Sequence, residues 1–338
     1  MSIDGGGNYI YTDNEIRKII MRGYDFVADV FTGKKEKQLK RSGMKMRKNL
    51  DLYIIAIFGL IYIIVFKYLP MYGIVIAFQD FNIFDGILKS EWVGLENFKK
   101  LFLDPEFYSV FRNTVLISLY KIAILFPLPV IVAVLLNEVK NAAFQKTVQT
   151  VIYLPHFLSW IVVAGIMTNM FSSAGYINQL ISALGFEKIS FMMSNRWFRS
   201  VLVFSSGWKE TGWSAIIYIA AIAGVDQELY EAAKIDGAGR LNRIIHVTLP
   251  GIASTVILMF VLRIGSILEV GTEQVLTMYN PTVYETGDVI GTFVYRMGLG
   301  KLMYSYTTAV GLFNSAVGFI LVIIGNSLSK RITEKSIW

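Results

Sequence analysis

The sequence contains no cysteine among its 338 residues and only two histidines, His156 and His246. Without cysteine the chain has no disulfide framework, no thiolate ligand for zinc or an iron–sulfur cluster, and no thiol nucleophile. The two histidines are far apart in the chain, so a histidine metal site is not expected either. We therefore predict no metal site in this chain and no cofactor bound by it.

Charged residues are scarce as well. They make up 17% of the chain, against about 25% in soluble domains, whereas 54% of the residues are hydrophobic. The sequence has no Gly-x-x-x-x-Gly-Lys-Ser/Thr phosphate loop, no Gly-x-Ser-x-Gly elbow and no His-Glu-x-x-His helix. Neither ATP hydrolysis nor hydrolase chemistry is therefore supported by a motif, and the chain is not predicted to be an enzyme.

The hydrophobic residues form six long runs, and a membrane-spanning helix needs roughly 20 such residues. The runs are Leu50–Leu69, Val110–Leu136, Thr147–Phe171, Ser200–Gly224, Gly251–Gly271 and Tyr304–Leu328. We expect Pro70 to end the first helix, and Pro127 and Pro129 to kink the second. The sequence thus predicts an all-α, multi-pass membrane protein, with six transmembrane helices in residues 50–328 between a basic tail, 1–49, and a short C-terminal tail, 329–338.

Lysine and arginine are divided unevenly between the predicted connections. If the N-terminus is inside, 19 of the 32 fall on the cytoplasmic side and eight on the other side. Because cytoplasmic loops carry an excess of these residues, both termini are predicted in the cytoplasm, and the net charge of +7 indicates topology, not a nucleic-acid partner. In the tail, Thr12 and Glu15 have the spacing of a capping box, and apolar residues recur at helical spacing: Ile16, Ile19, Ile20, Val27, Val30 and Phe31. This pattern predicts an amphipathic helix, either on the inner membrane surface or on the cytoplasmic loops.

The connection between the fourth and fifth predicted spans, residues 225–250, has the pattern of a structured loop. Asp226 is a suitable N-cap, the residues Gln227–Ile235 are good helix formers, and Gly237 can adopt the left-handed conformation that ends a helix. A second helical stretch is predicted from Arg240 to Val247, before the fifth span begins at Pro250.

The predicted helix in this loop is suited to docking on another protein. Its alanines allow close approach, Leu229 and Tyr230 offer apolar anchors, and its carboxylates offer partners for basic groups. The predicted docking residues are Glu228, Leu229, Tyr230, Glu231, Ala232, Ala233, Asp236, Gly237 and Ala238.

The same loop carries a family resemblance. Its pattern of Glu231-Ala232-Ala233, Gly237, Val247 and Leu249-Pro250 closely resembles the EAA loop of permease subunits in binding-protein-dependent ABC importers, which usually have Ile where this chain has Val247. Two other stretches look like the carbohydrate-importing branch, namely Trp92 to Phe98 (followed by Asp104-Pro105 and Asn113-Thr114) and Tyr153-Leu154-Pro155. Within that branch, the chain looks most similar to permeases for oligosaccharides or polysaccharides, such as alginate or pectin fragments.

The resemblance implies that the loop helix is a coupling helix seated on a separate ATPase. Glu231 would make a charged contact, Ala232 and Ala233 would pack closely, and Gly237 would form the turn. The implied partners are a second permease subunit, commonly a different chain, two ATPase subunits that hold ATP and Mg, and an extracytoplasmic substrate-binding protein. The implied function is ATP-driven import of a carbohydrate across the cell membrane by alternating access. The alternatives are a permease for another solute, such as a phosphorylated polyol, and a stand-alone secondary transporter or channel.

Ionisable residues inside the predicted spans indicate a candidate substrate path, because such residues usually face the bundle interior or a water-filled cavity. Lys209 and Glu210 lie between Trp208 and Trp213, and flat rings beside hydrogen-bonding groups suit a sugar. The candidate path residues are Lys121, Trp208, Lys209, Glu210, Trp213, Arg263 and Glu269. The alternative for each ionisable residue is an ion pair that only holds helices together. His156 is predicted to be a hydrogen-bonding residue of the bundle, not a proton relay.

Overall fold

The computed structural model describes residues 2–3, 9–10 and 50–333. The amphipathic helix predicted within residues 1–49 lies outside these described residues. The chain divides into two compact units, Met1–Tyr72 and Gly73–Trp338.

The first unit contains a short antiparallel strand pair and the first apolar helix. The strands are β1 (Ser2–Ile3) and β2 (Tyr9–Ile10), and the helix is α1 (Leu50–Ile63). A π turn, Ile64–Tyr68, continues α1 into a 3-10 stretch, Leu69–Phe78. The prediction that Pro70 ends this helix is therefore wrong. Pro70 is the second residue of the 3-10 stretch and lies within this continuous helical run.

The second unit is helical apart from one small strand pair. Its strands β3 (Gln79–Asp80) and β4 (Glu91–Trp92) pair antiparallel and flank the short helix α2 (Gly86–Lys89). The helices that follow are α3 (Glu96–Leu103), α4 (Pro105–Leu125), α5 (Pro127–Asn137), α6 (Ala142–Tyr153), α7 (Trp160–Phe171), α8 (Tyr176–Ala183), α9 (Phe198–Ala223), α10 (Gln227–Ile235), α11 (Arg240–Arg243), α12 (Leu249–Gly265), α13 (Thr272–Met278), α14 (Tyr284–Gly287), α15 (Ile290–Tyr295) and α16 (Tyr304–Thr333).

Five helical stretches of the described residues are long and apolar enough to cross a membrane. They are Ala56–Phe78, Pro105–Asn137, Trp160–Ala183, Arg240–Gly265 and Tyr304–Ser327. The fourth predicted span is present as α9, one helix of 26 residues, but its charged and small polar side chains lower its hydropathy. Since α9 packs on α4, α5, α6 and α12, its polar groups face protein more than lipid. The all-α membrane fold is therefore confirmed.

The third predicted span is not the continuous helix expected for Thr147–Phe171. Helix α6 ends at Tyr153, a 3-10 turn covers Leu154–Phe157, and α7 begins at Trp160 behind Ser159, whose hydroxyl caps it. Pro155 cannot donate a backbone hydrogen bond, so the chain leaves the helix and begins a new one. The apolar stretch that follows runs on through α8.

The other boundaries differ less from prediction. The second span bends at Phe126, and Pro127 opens α5 as expected of a proline kink. The fifth begins earlier than predicted, because the chain is helical from Arg240 through a π turn into α12. It also ends earlier, at Gly265, so Glu269 lies in the non-helical connection to α13.

Helix α9 joins two of the buried clusters that hold the second unit together. Its first half, with Phe198 and Leu202, packs with α4, α7 and the residues around α13. Its second half, with Tyr218 and Ile222, packs with α5 and α12. A third cluster joins α3, the start of α4, α15 and the start of α16. The polar middle of α9 lies between the first two clusters and faces the candidate site.

Candidate functional site

Helix α10 has the bounds predicted for the docking helix. The Asp226 side chain caps its first turn by accepting a hydrogen bond of 3.0 Å from the backbone N–H two residues on. At the other end Gly237 has a positive φ of 76°, and the Ala238 N–H donates to the Ala233 carbonyl over 2.8 Å. Together with a bond from Gly237 to the last turn, this is a Schellman motif, which satisfies carbonyls that the helix end leaves free.

The docking residues divide into an exposed set and a set held by the protein itself. Leu229 is 53% exposed, and no residue of α10 is buried. Tyr230 is half-buried against the cluster of α5 and α12, and its hydroxyl shares a 2.9 Å hydrogen bond with that of Thr248. Leu229 is therefore available to a partner, whereas Tyr230 fixes α10 to its own bundle. The other exposed docking residues are Glu228, Glu231, Ala232, Asp236 and Gly237; Ala233 and Ala238 are half-buried.

Sequence reasoning missed two apolar side chains on this loop. Ile235 is 86% exposed and Leu241 is 68% exposed. The available signal was an apolar residue with a charged or polar residue on each side, as in Lys234-Ile235-Asp236 and Arg240-Leu241-Asn242.

A cavity of about 650 Å³ lies between α4, α9 and α12. Five of the seven candidate path residues line it: Lys121, Glu210, Trp213, Arg263 and Glu269. Polar residues that the sequence did not single out also line it: Ser206, Thr211, Ser214, Ser266 and Gln274. Hydroxyl, amide, aromatic and charged groups thus meet around one space, which is what recognition of a polyhydroxylated ligand requires.

Lys121 is buried in the cavity wall and is the central donor of a hydrogen-bond network there. Its ammonium donates to the Val270 carbonyl over 2.7 Å and to Gln274 Oε1 over 2.6 Å. Gln274 in turn donates to the Leu202 carbonyl over 2.7 Å and accepts from Ser206 Oγ over 2.9 Å. The lysine charge is therefore held between α4, α9 and the connection to α13.

Glu210 and Trp213 form another part of the wall with His156. The imidazole Nδ1 donates a 3.0 Å hydrogen bond to Glu210 Oε2. The same ring stacks on Trp213, with centroids 4.4 Å apart and an interplanar angle of 1°. His156 therefore orients a carboxylate and an indole ring through one side chain, in agreement with its predicted role as a hydrogen-bonding residue of the bundle.

Trp208 and Lys209, the other two path candidates, do not line the cavity. The Lys209 ammonium donates to the carbonyl of His156 over 2.5 Å and to that of Leu158 over 2.7 Å. Both carbonyls lie in the non-α-helical residues between α6 and α7. The reason is helical geometry: the cavity residues on α9, at positions 206, 210, 211, 213, 214, 217 and 218, form one face of the helix, and positions 208 and 209 lie outside it. Lys209 therefore satisfies carbonyls at a helix break and does not form the ion pair between helices that was its alternative, since, among the described residues, its carboxylate contact within 4 Å is with Glu210, its neighbour on the same helix, at 3.9 Å.

Arg263 and Glu269 are charged residues of the cavity wall whose side chains form no close contact with another charged or hydrogen-bonding group of the described residues. Within the described part of the chain, neither side chain forms a hydrogen bond or an ion pair within 4 Å, although the Arg263 charge interacts at longer range with Glu210 and Glu269. Thr211 Oγ1 is likewise buried without a hydrogen-bond partner among these residues. These groups can bind a ligand without first breaking a contact with the protein.

No group of three or more metal-ligating side chains is found in residues 50–333.

Comparisons with known proteins agree on one family. Residues 125–334 match the family described as binding-protein-dependent transport system inner membrane component. The chain is 47% identical over 312 residues to the polygalacturonan/rhamnogalacturonan transport system permease protein YteP of Bacillus subtilis (strain 168), a match that covers 92% of this chain and 97% of that protein. It is 46% identical to Protein LplB of the same organism, over 87% of this chain and 92% of that one.

Solved structures give the same result. The chain is similar, with a TM-score of 0.80 and 37% identity, to a chain in the crystal structure of a bacterial ABC transporter involved in the import of the acidic polysaccharide alginate. The match covers 87% of this chain and 99% of that chain. An equal similarity is found to the bacterial alginate ABC transporter in complex with an alginate pentasaccharide-bound periplasmic protein.

Proposed function

This chain belongs to the family of binding-protein-dependent transport system inner membrane components, and from that premise we propose that it is the permease subunit of an ATP-driven ABC importer for an oligosaccharide. It is a multi-pass protein of the cell membrane. Family membership shows a transport component, which is consistent with the prediction that the chain is not an enzyme. The translocated sugar passes through the cavity between α4, α9 and α12.

The composition of the cavity is the observation that supports the proposed class of substrate. Trp213 presents an aromatic ring of the kind that stacks on sugar rings, and Arg263 presents a cation with no side-chain hydrogen bond and no ion pair within 4 Å among the described residues. Polygalacturonan, named for the relative YteP, and alginate, named for the structural relative, are both built from sugars that carry carboxylates. The proposed substrate is therefore an acidic oligosaccharide, with Arg263 as a partner for its carboxylates.

The remaining subunits supply what this chain does not contain. We propose a second permease subunit, two ATPase subunits that bind ATP and Mg, and an extracytoplasmic binding protein that delivers the sugar. Both termini and α10 lie in the cytoplasm, where the exposed face of α10 around Leu229 and Glu231 docks on an ATPase. Closure of the ATPase pair moves α10, and α10 moves α9 and α12, which it connects and which form two sides of the cavity.

The test of the substrate class uses the complete complex in liposomes. ATPase activity and uptake are measured with the binding protein and either an oligogalacturonide or a neutral malto-oligosaccharide of equal length. The acidic sugar is expected to stimulate both, and the neutral sugar neither. Equal stimulation by both sugars would contradict the acidic class. Uptake by the permease chain alone, driven by an ion gradient without ATP, would contradict the ABC mechanism itself.

The test of the docking surface is a charge reversal on α10. Glu231→Arg is expected to leave the chain in the membrane but to reduce co-purification of the ATPase and to abolish uptake. Asn242→Arg is the matched control, because Asn242 is also exposed and lies in the same loop outside α10. If the two variants bind the ATPase equally well, Glu231 does not contact it.

A further inference from the structure

Residues 79–104, which connect the first apolar stretch to α4, expose large apolar side chains. Phe84 is 96% exposed, Leu88 is 89% exposed and Leu103 is 81% exposed. Phe84 lies in the turn that precedes α2, and Leu88 lies within α2. Apolar surface of this kind indicates an interaction site.

Hydrogen bonds tie this segment to the ends of membrane-spanning helices. The Asn97 side chain donates to the carbonyl of Ala77, at the end of the apolar stretch Ala56–Phe78, over 3.0 Å. The Phe81 N–H donates to the hydroxyl of Ser305, at the start of α16, over 2.8 Å. The segment leads directly into α4, the beginning of another span. Three span ends thus hold it at the depth where the helices leave the membrane.

The composition of the segment is typical of that depth. The indole of Trp92 stacks on Phe78, the last residue of the apolar stretch, with centroids 5.7 Å apart and an interplanar angle of 10°. Trp92 is itself 61% exposed, and the neighbouring Lys99 and Lys100 are exposed as well. Tryptophan is enriched at membrane–water interfaces, and lysine extends its ammonium from apolar surroundings toward water.

We propose that residues 79–104 form an interfacial anchor, with Phe84 and Leu88 inserted between the lipid headgroups of the outer leaflet. The occupant of this apolar face is lipid because the face is continuous with the ends of three lipid-embedded helices. The anchor fixes the outer ends of the first, second and sixth spans at one depth. It does not depend on which solute the importer carries.

The absence of cysteine allows a direct test with single cysteines in the full chain. Phe84→Cys and Leu88→Cys are labelled with an environment-sensitive fluorophore in the complete complex, whose other subunits carry no reactive cysteine. The complex is reconstituted in phosphatidylglycerol and phosphatidylcholine vesicles that contain lipid spin-labelled near the headgroup. Asp85→Cys and Lys89→Cys are matched controls, since both residues are exposed and each is next in sequence to a test position.

The labels at positions 84 and 88 are expected to lose more than about half of their fluorescence to the spin-labelled lipid, and the control labels much less. Equal quenching at all four positions, or quenching at none, overturns the proposal. Shielding of positions 84 and 88 only after the binding protein is added also overturns it, because a protein would then cover this face. Loss of subunit co-purification in Phe84→Cys and Leu88→Cys, but not in the control variants, also overturns the proposal, because these side chains would then contact another subunit. The uptake assay is independent of every one of these outcomes.

Discussion

The Lys121 ammonium on α4 donates a 2.6 Å hydrogen bond to the side-chain oxygen of Gln274 on α13. Both side chains are buried, and the ammonium also binds the Val270 carbonyl. A lysine charge inside a membrane domain is costly unless its donors are satisfied. The pair therefore ties the second span to the segment that follows the fifth, directly in the wall of the cavity.

Replacing Gln274 by leucine is expected to destabilise the protein strongly. The change removes an acceptor from Lys121 and leaves the Leu202 carbonyl and the Ser206 hydroxyl without their partner. The expected cost is about 3 kcal/mol, the order observed when one partner of a buried charge is removed. Thermal unfolding of the detergent-solubilised protein measures it.

The double variant Lys121→Met/Gln274→Leu is the control for this pair. Removing both partners leaves no unpaired charge, so the double variant is expected to lose less stability than the sum of the two single variants. Additive losses would show that the hydrogen bond between the two side chains is not what stabilises the wall.

Arg263→Gln is expected to affect transport without affecting stability. Arg263 lines the cavity and forms no ion pair with the described residues, so its removal leaves no protein group unpaired. Loss of one charged hydrogen bond to a substrate carboxylate corresponds to about a tenfold decrease in sensitivity to the acidic oligosaccharide. Oligogalacturonide-stimulated ATPase activity, measured over a range of sugar concentrations, gives this value.

The control for Arg263 is Arg196→Gln, which removes an exposed arginine outside the cavity. It is expected to leave both the melting temperature and the sugar response unchanged. A fall in melting temperature for Arg263→Gln with an unaltered sugar response would assign Arg263 to structure.

Lys209→Met is expected to show the opposite pattern to Arg263→Gln. Lys209 donates to the carbonyls of His156 and Leu158, and without it these two acceptors at the break between α6 and α7 are left unpaired. The expected loss of stability is about 2 kcal/mol. Among the molecules that remain folded, preference for the acidic over the neutral oligosaccharide is expected to stay the same.

Trp208→Phe serves as the neighbouring control, because Trp208 is partly exposed and does not line the cavity. It is expected to change neither stability nor sugar preference. An altered preference in Lys209→Met would return Lys209 to the substrate path.

The contrast between Lys209 and Glu210 shows how far the sequence predicts this site. The cost of burying charge in a membrane identified Lys121, Glu210, Arg263 and Glu269 as cavity candidates, and the structure places all four in the cavity wall. The same rule gave Lys209 the same role, because it does not consider that adjacent residues on a helix point about 100° apart.

The other differences have similar physical reasons. The sequence predicted one continuous span through Pro155, whereas the chain leaves the α-helix there. A proline can either kink a helix or end it, and the sequence alone does not distinguish the two. Gln274 was not singled out, because an uncharged residue after a predicted span gives no signal until Lys121 is placed beside it. In contrast, capping residues act locally, so the bounds of α10 were predicted correctly from Asp226 and Gly237.

Gly237 and Gly239 allow a test of whether the end of α10 must keep its conformation. An added Cβ would meet no atom within 4 Å at either position, so neither alanine variant causes a clash. Gly237 has a φ of 76°, whereas Gly239 has a φ of −66°. Only at Gly237 does alanine strain the backbone, by about 1–2 kcal/mol. Gly237→Ala is therefore expected to loosen the last turn of α10 and to lower both ATPase co-purification and uptake, while Gly239→Ala retains both. Equal losses in the two variants would mean that the ATPase contacts the glycines directly, and retention of both activities in Gly237→Ala would mean that the shape of the turn does not matter for coupling.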